Sequence, residues 1–148
     1  MIGKIKYAPG TFASVFSCIL FFLLTYIFSF TSILIIITLF FIYSFIAINN
    51  SFEEFNSDDP QEIVIDEVLG QMLTLLAIPI YETLYPLPVL YYYISALIFF
   101  RIFDILKPYP INFVDNNVKG PLGIMLDDII ASFYSILILA IIFFFLGG

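Results

Sequence analysis

From Phe12 to Ile48 the chain carries no charged residue, a run of 37 positions. One ordinary bilayer crossing takes about 20 residues. The run therefore fits two apolar helices with a break near Ser29-Phe30-Thr31-Ser32. A second uncharged run extends from Ile129 to the C-terminus. Only 11% of all residues are charged and 62% are hydrophobic, whereas soluble domains are ~25% charged. Lys4 and Lys6 resemble the start of a secretion signal, but the apolar run behind them is too long and lacks a clear cleavage site.

The rest of the chain yields three more helices. One spans Ile63 to Ile80, one runs from Pro88 to Leu106 and is stopped by Pro108 and Pro110, and one runs from Ile124 to Leu146. Asn49 to Glu62 reads as an acidic loop, with Glu53, Glu54 and Asp58 on a solvated surface. Ile111 to Leu122 reads as a loop at the membrane interface. The expected fold is all-α: a polytopic membrane bundle of about five transmembrane helices, residues 1–148 forming one domain.

The few charges gather at helix ends. Asp66-Glu67 opens the third helix, Arg101, Asp104 and Lys107 close the fourth, and Asp127-Asp128 stands at the start of the fifth. A charge at the bilayer centre costs ~2.5–3.5 kcal/mol on insertion scales, so acids this close to lipid usually have a task or a partner. With five crossings, all five basic residues (Lys4, Lys6, Arg101, Lys107 and Lys119) fall on the side of the N-terminus, with every acid except Glu82. The positive-inside rule makes that side cytoplasmic. Small residues follow the acids at helical spacing: Gly70, Thr74 and Ala77 after Asp66, and Ser132 and Ser135 after Asp128. Ala13 pairs with Ser17, and Ser14 with Cys18. Such stripes let membrane helices approach closely, which turns the acids toward protein.

Several chemistries are excluded or disfavoured. The chain has no histidine, which removes Ser-His triads, phosphohistidine and His-bound zinc. It has no Gly-x-x-x-x-Gly-Lys phosphate loop and no Asp-x-Asp motif. Its single cysteine, Cys18, cannot form an intrachain disulfide and reads as a packing residue. A net charge of -7 argues against nucleic acid as a partner. Hydrolytic chemistry here would rest on carboxylates and a hard cation such as Mg²⁺, which takes oxygen ligands and shares them with phosphate.

Each cluster also has a plainer reading. One acid in a first turn stabilises a helix dipole by ~0.3–1 kcal/mol, but two adjacent pairs near lipid exceed that need. Arg101, Asp104 and Lys107, at i, i+3 and i+6, fit an ion-pair ladder as well as they fit a metal ligand flanked by phosphate-holding cations. Thr11, after Pro9-Gly10, fits a helix cap or an anion contact.

In order along the chain, four segments carry a resemblance. They are Ala8-Pro9-Gly10-Thr11 with Ser14, then Asp59-Pro60-x-Glu62-Ile63-Val64-Ile65-Asp66-Glu67-Val68-Leu69-Gly70-Gln71, then Phe100-Arg101-x-Phe103-Asp104-x-x-Lys107-Pro108-x-Pro110-Ile111, and finally Gly120-Pro121-Leu122-Gly123-Ile124-Met125-Leu126-Asp127-Asp128. Together they resemble the phosphatidylglycerophosphatase A family of bacterial membrane enzymes over nearly the whole length. Ala13 and Pro121 stand where the family commonly has glycine; no charged position of the pattern is missing. The resemblance implies a Mg²⁺-dependent lipid phosphatase of the bacterial cytoplasmic membrane, converting phosphatidylglycerophosphate to phosphatidylglycerol. Asp66, Glu67, Asp104, Asp127 and Asp128 would be catalytic and metal-binding. Arg101, Lys107 and Thr11 would hold the substrate phosphate. The nucleophile is either a metal-activated water or an aspartate that first takes the phosphoryl group.

The rival from another class is a small cation or proton transporter or channel, since bundle-facing acids also line ion pathways. Against it, the acids cluster at one face and no ionisable residue marks a helix midplane.

Overall fold

The computed structural model describes residues 9–54 and 64–147. Lys4, Lys6, Asp58, Asp59 and Glu62 lie outside the described residues. Among those described there are seven helices and no strand: α1 (Pro9–Ile27), α2 (Phe30–Glu54), α3 (Ile65–Leu75), α4 (Ile78–Leu84), α5 (Val89–Leu106), α6 (Ile111–Asn117) and α7 (Pro121–Gly147). Four of them, α1, α2 up to Asn50, α5 and α7 up to Leu146, are long and apolar enough to cross a membrane. Many of their large apolar side chains face outward, Tyr26 at 85% exposure and Phe145 at 77% among them. A bilayer, not water, suits that surface.

The expected third span, Ile63 to Ile80, is two helices in series. Pro79 has no N–H to give the Leu75 carbonyl, and its ring crowds the same turn. The ladder tightens there, with Ala77 N bonding Thr74 O at 3.4 Å and Ile80 N bonding Ala77 O at 3.2 Å. Together α3 and α4 still carry the chain from one end of the bundle to the other. Asp66 at the start of α3 shares a cavity with the start of α1 and the end of α5. Pro79 and Glu82 in α4 share another with Phe28, Phe30 and Val89 at the opposite end. The chain thus traverses the bundle five times, the third time in two pieces.

The expected interfacial loop from Ile111 to Leu122 contains the short helix α6, whose Ile111 is fully buried. The last helix begins at Pro121, three residues earlier than expected, so Asp127 and Asp128, expected at its start, lie beyond its first turn, where the dipole effect has fallen off. Proline suits a first helical position, where no N–H is required. Gly120, at φ 82°, makes the turn ahead of it. The loop expected from Asn49 is helical as far as Glu54.

The small-residue stripes form the core contacts. Ala13, Ser14, Ser17, Thr74, Ser132 and Ser135 are all at most 1% exposed. A Cβ on Gly70 would meet the Phe100 ring at 2.8 Å and Asp128 Cβ at 3.1 Å, so only glycine lets α3 lie this close to α5 and α7. Far from the acids, the rings of Tyr81 and Tyr92 pack edge-on against Phe143, with centroids 5.3 and 4.9 Å away. The Tyr81 hydroxyl donates to Ile136 O at 2.6 Å, and the Tyr92 hydroxyl donates to Tyr85 O. These bonds tie α4 and the turn before α5 to the bundle.

Candidate active site

The starts of α1, α3 and α7 meet the end of α5 at one end of the bundle and enclose a cavity of about 440 Å³. Its lining includes Asp66, Glu67, Arg101, Asp104, Lys107, Asp115, Lys119, Asp127 and Asp128, with Pro9, Gly10, Gly120 and Gly123 supplying backbone. The charged helix ends, spread in sequence from Asp66 to Asp128, therefore converge at one end of the bundle.

Two cations organise the acids. Arg101 Nη1 lies 2.5 Å from Asp104 Oδ2 and donates to Glu67 Oε1 at 3.2 Å, joining α5 to α3. Lys107 Nζ donates to Asp115 Oδ1 at 2.5 Å and to Asp127 Oδ2 at 2.7 Å, joining the end of α5 to α6 and α7. Lys107 reaches both because it caps α5 in the left-handed conformation, φ 42°, which costs a non-glycine residue roughly 1–2 kcal/mol. Pro108 follows and prevents the helix from continuing. Burial pulls the Lys107 ammonium pKa down, but the hydrogen bonds to Asp115 and Asp127 outweigh it and hold the pKa above its ordinary value. It is a cation at neutral pH.

The acids are held at differing depths. Asp66, Asp127 and Asp128 are buried, at 8, 7 and 3% exposure. Asp127 Oδ1 accepts from the Asp128 backbone N–H at 3.0 Å. Asp66 Oδ1 is buried and has no hydrogen-bond partner among the described residues. The Glu67 carboxylate rests against Gly10, in the space a Cβ there would occupy. Pro9 and Gly10 start α1, so this acid faces the positive end of a helix dipole.

Seven of the eight residues singled out from sequence line the cavity; Thr11 does not. It is exposed in the first turn of α1, and its neighbours Pro9 and Gly10 line the site instead. Asp115 and Lys119 line it too, although neither was singled out from sequence. Asp115 was hidden because it belongs to α6, a segment read as a loop. Lys119 sits one residue ahead of the last motif, and that adjacency was the signal available.

The donor set suits a hard divalent cation. Every acid offers carboxylate oxygen, and six acids face three cations around the cavity. The unpartnered Asp66 Oδ1 is a buried acceptor of the kind such an ion satisfies. Among the described residues no group of three acids is arranged to hold a metal ion by itself. Mg²⁺ does not require one, since it commonly takes one or two carboxylates and completes its shell with water and substrate phosphate.

Fold and cavity together define a polytopic helical membrane protein with a carboxylate-rich, cation-bearing site at one end. The phosphatidylglycerophosphatase A family matches residues 1–143, and the chain belongs to that family. It is similar to the phosphatidylglycerophosphatase A of Haemophilus influenzae, 32% identical over 136 residues that cover 92% of this chain and 79% of the relative. The Escherichia coli K12 protein of the same name is 39% identical over 90 residues, 60% of this chain and 45% of the relative. A Bacteroides thetaiotaomicron protein, provisionally named a phosphatidylinositol-3-phosphatase, is 33% identical over 142 residues, 94% of this chain and 86% of its own length. No solved structure matches. The chain is accordingly an enzyme, a phosphoric monoester hydrolase, and not the transporter that buried acids alone would also have allowed.

Proposed function

We propose that this enzyme hydrolyses phosphatidylglycerophosphate to phosphatidylglycerol and phosphate, with Mg²⁺, at the cytoplasmic face of the bacterial inner membrane. The observation that carries the reading is the cavity itself: six carboxylates and three cations gathered at one end of a bundle whose flanks suit lipid. A lipid can keep its acyl chains in the bilayer while its headgroup enters such a site. The orientation rests on Arg101, Lys107 and Lys119, the basic residues among those described, all lining the cavity at one end of the bundle.

Phosphomonoester hydrolysis is among the slowest uncatalysed reactions, and the transferred group gathers negative charge on its oxygens. An acid-rich cavity alone would repel it. Bound Mg²⁺ would supply charge neutralisation and a more acidic water; its protein ligands would be one or two carboxylates drawn from Asp66, Glu67, Asp104, Asp127 and Asp128, with water and substrate phosphate completing the shell. Arg101 and Lys107 orient the phosphoryl oxygens. Each is shared between two carboxylates, so each can release one and take a phosphate oxygen without leaving its place. Asp66 Oδ1 is an acceptor open to a metal or to a water.

The Bacteroides relative brings in a second lipid phosphomonoester as a competing substrate. The test is phosphate release by purified protein from phosphatidylglycerophosphate, phosphatidylinositol 3-phosphate and soluble glycerol 3-phosphate. Preference for the first by kcat/KM is expected. Preference for the inositol lipid would replace the substrate, and equal turnover of glycerol phosphate would remove lipid specificity.

A further inference from the structure

Phosphatidylglycerophosphate carries two phosphates: the terminal monoester that is hydrolysed, and a phosphodiester that stays with the lipid. A site that turns over the monoester faces a second negative group at a fixed offset, beyond the glycerol bridge. The three cations of the cavity divide in a corresponding way. Arg101 and Lys107 are partly buried and each is ion-paired to two acids. Lys119 is exposed, lines the same cavity, and has no ion pair among the described residues.

We infer that Lys119 is a specificity-determining residue that binds the phosphodiester of the lipid headgroup. This rests on the lipid phosphatase reading above. The reacting phosphate must enter deepest, toward Asp66, Asp127 and Asp128, which are buried. The diester then remains toward the mouth, on the way to the acyl chains. Lys119 stands there, on the connection between α6 and α7, where Gly120 turns the chain at φ 82°. The turn is fixed behind it: a Cβ on Gly123 would overlap the Val118 carbonyl, so the backbone on both sides of Lys119 packs closely. Leu122, three residues on and 57% exposed, presents an apolar surface beside the cation, as a lipid entering tail-outward needs. A lysine paired with no acid among the described residues keeps its charge available for a ligand, whereas Arg101 and Lys107 must first exchange a partner.

The experiment compares wild type with Lys119→Gln and Lys119→Arg in detergent micelles. Turnover of phosphatidylglycerophosphate is inhibited in turn by phosphatidylglycerol, which carries only the diester, and by inorganic phosphate, which lacks it. Losing one charge-assisted contact should raise KM and weaken inhibition by phosphatidylglycerol on the order of tenfold. The loss should fall on KM rather than kcat, leave inhibition by inorganic phosphate in place, and be largely restored by Arg. Unchanged phosphatidylglycerol inhibition in Lys119→Gln would overturn the assignment. So would equal weakening toward both inhibitors, or a kcat loss shared by Lys119→Gln and Lys119→Arg. Failure of the lipid phosphatase reading is distinguishable, because wild type itself would then release no phosphate from phosphatidylglycerophosphate.

Discussion

The carboxylate of Glu67 fills the space that a side chain on Gly10 would need. Two motifs more than fifty residues apart thereby meet at the first turn of α1, and Arg101 holds the same carboxylate from the α5 side. Glycine at position 10 leaves room for a neighbour's carboxylate; its own backbone is helical and makes no such demand.

Gly10→Ala should therefore displace Glu67 without unfolding the protein. The clash is with the end of a flexible side chain, and alanine favours a helix by up to ~1 kcal/mol over glycine, so stability should change little. Turnover should fall at least tenfold. Thermal unfolding and phosphate release measured on one preparation check both halves, and wild-type turnover would contradict the role given to Glu67.

Gly70→Ala should behave in the opposite way. Its new methyl would press on Phe100, which is fully buried, and on the α7 backbone side of Asp128. Neither can swing away, so overpacking of about 1–3 kcal/mol outweighs the helix-propensity gain. A lower unfolding temperature with partial loss of activity is expected; an unchanged unfolding temperature would show that α3 is not wedged against α5 and α7.

The acids themselves separate structure from chemistry. If Asp127 and Asp128 merely complemented a helix dipole, Asn at either would cost at most about 1 kcal/mol and spare activity. As site residues, Asp66→Asn, Glu67→Gln, Asp104→Asn, Asp127→Asn and Asp128→Asn should each cut turnover by orders of magnitude in a folded protein. Asp115→Asn should cost less than any of them, because Lys107 retains Asp127 when Asp115 lets go. Near-wild-type turnover in all five would remove the site.

Orientation can be read with thiols. With Cys18 replaced, cysteines between residues 55 and 62 and at Asn117 should be shielded from an impermeant reagent in intact cells, and one at Thr83 should react. Labelling from outside at Asn117 would place the cavity on the other face.

Much of this arrangement was legible in the sequence because membrane helices restrict where charge can go. Charges confined to one end of each apolar run and small residues at i+4 were enough to bring Asp66, Arg101 and Asp128 together, even though α7 starts at Pro121, ahead of Asp128. The interruption at Pro79 was readable in principle, since proline cannot complete the ladder, but the apolar run around it resembled one continuous span. Asp115 was not readable: a lone acid in a seven-residue helix has no periodicity, and its link to Lys107 depends on a left-handed cap visible only in three dimensions. Thr11 was misleading for a related reason. Its sequence neighbours line the cavity, but the helical turn points Thr11 itself outward.

The most direct test of the carboxylate site is the metal dependence of phosphatidylglycerophosphate hydrolysis. Purified enzyme stripped with EDTA should release no phosphate, and added Mg²⁺ should restore turnover in a saturable way. Full activity in metal-free buffer would contradict the account.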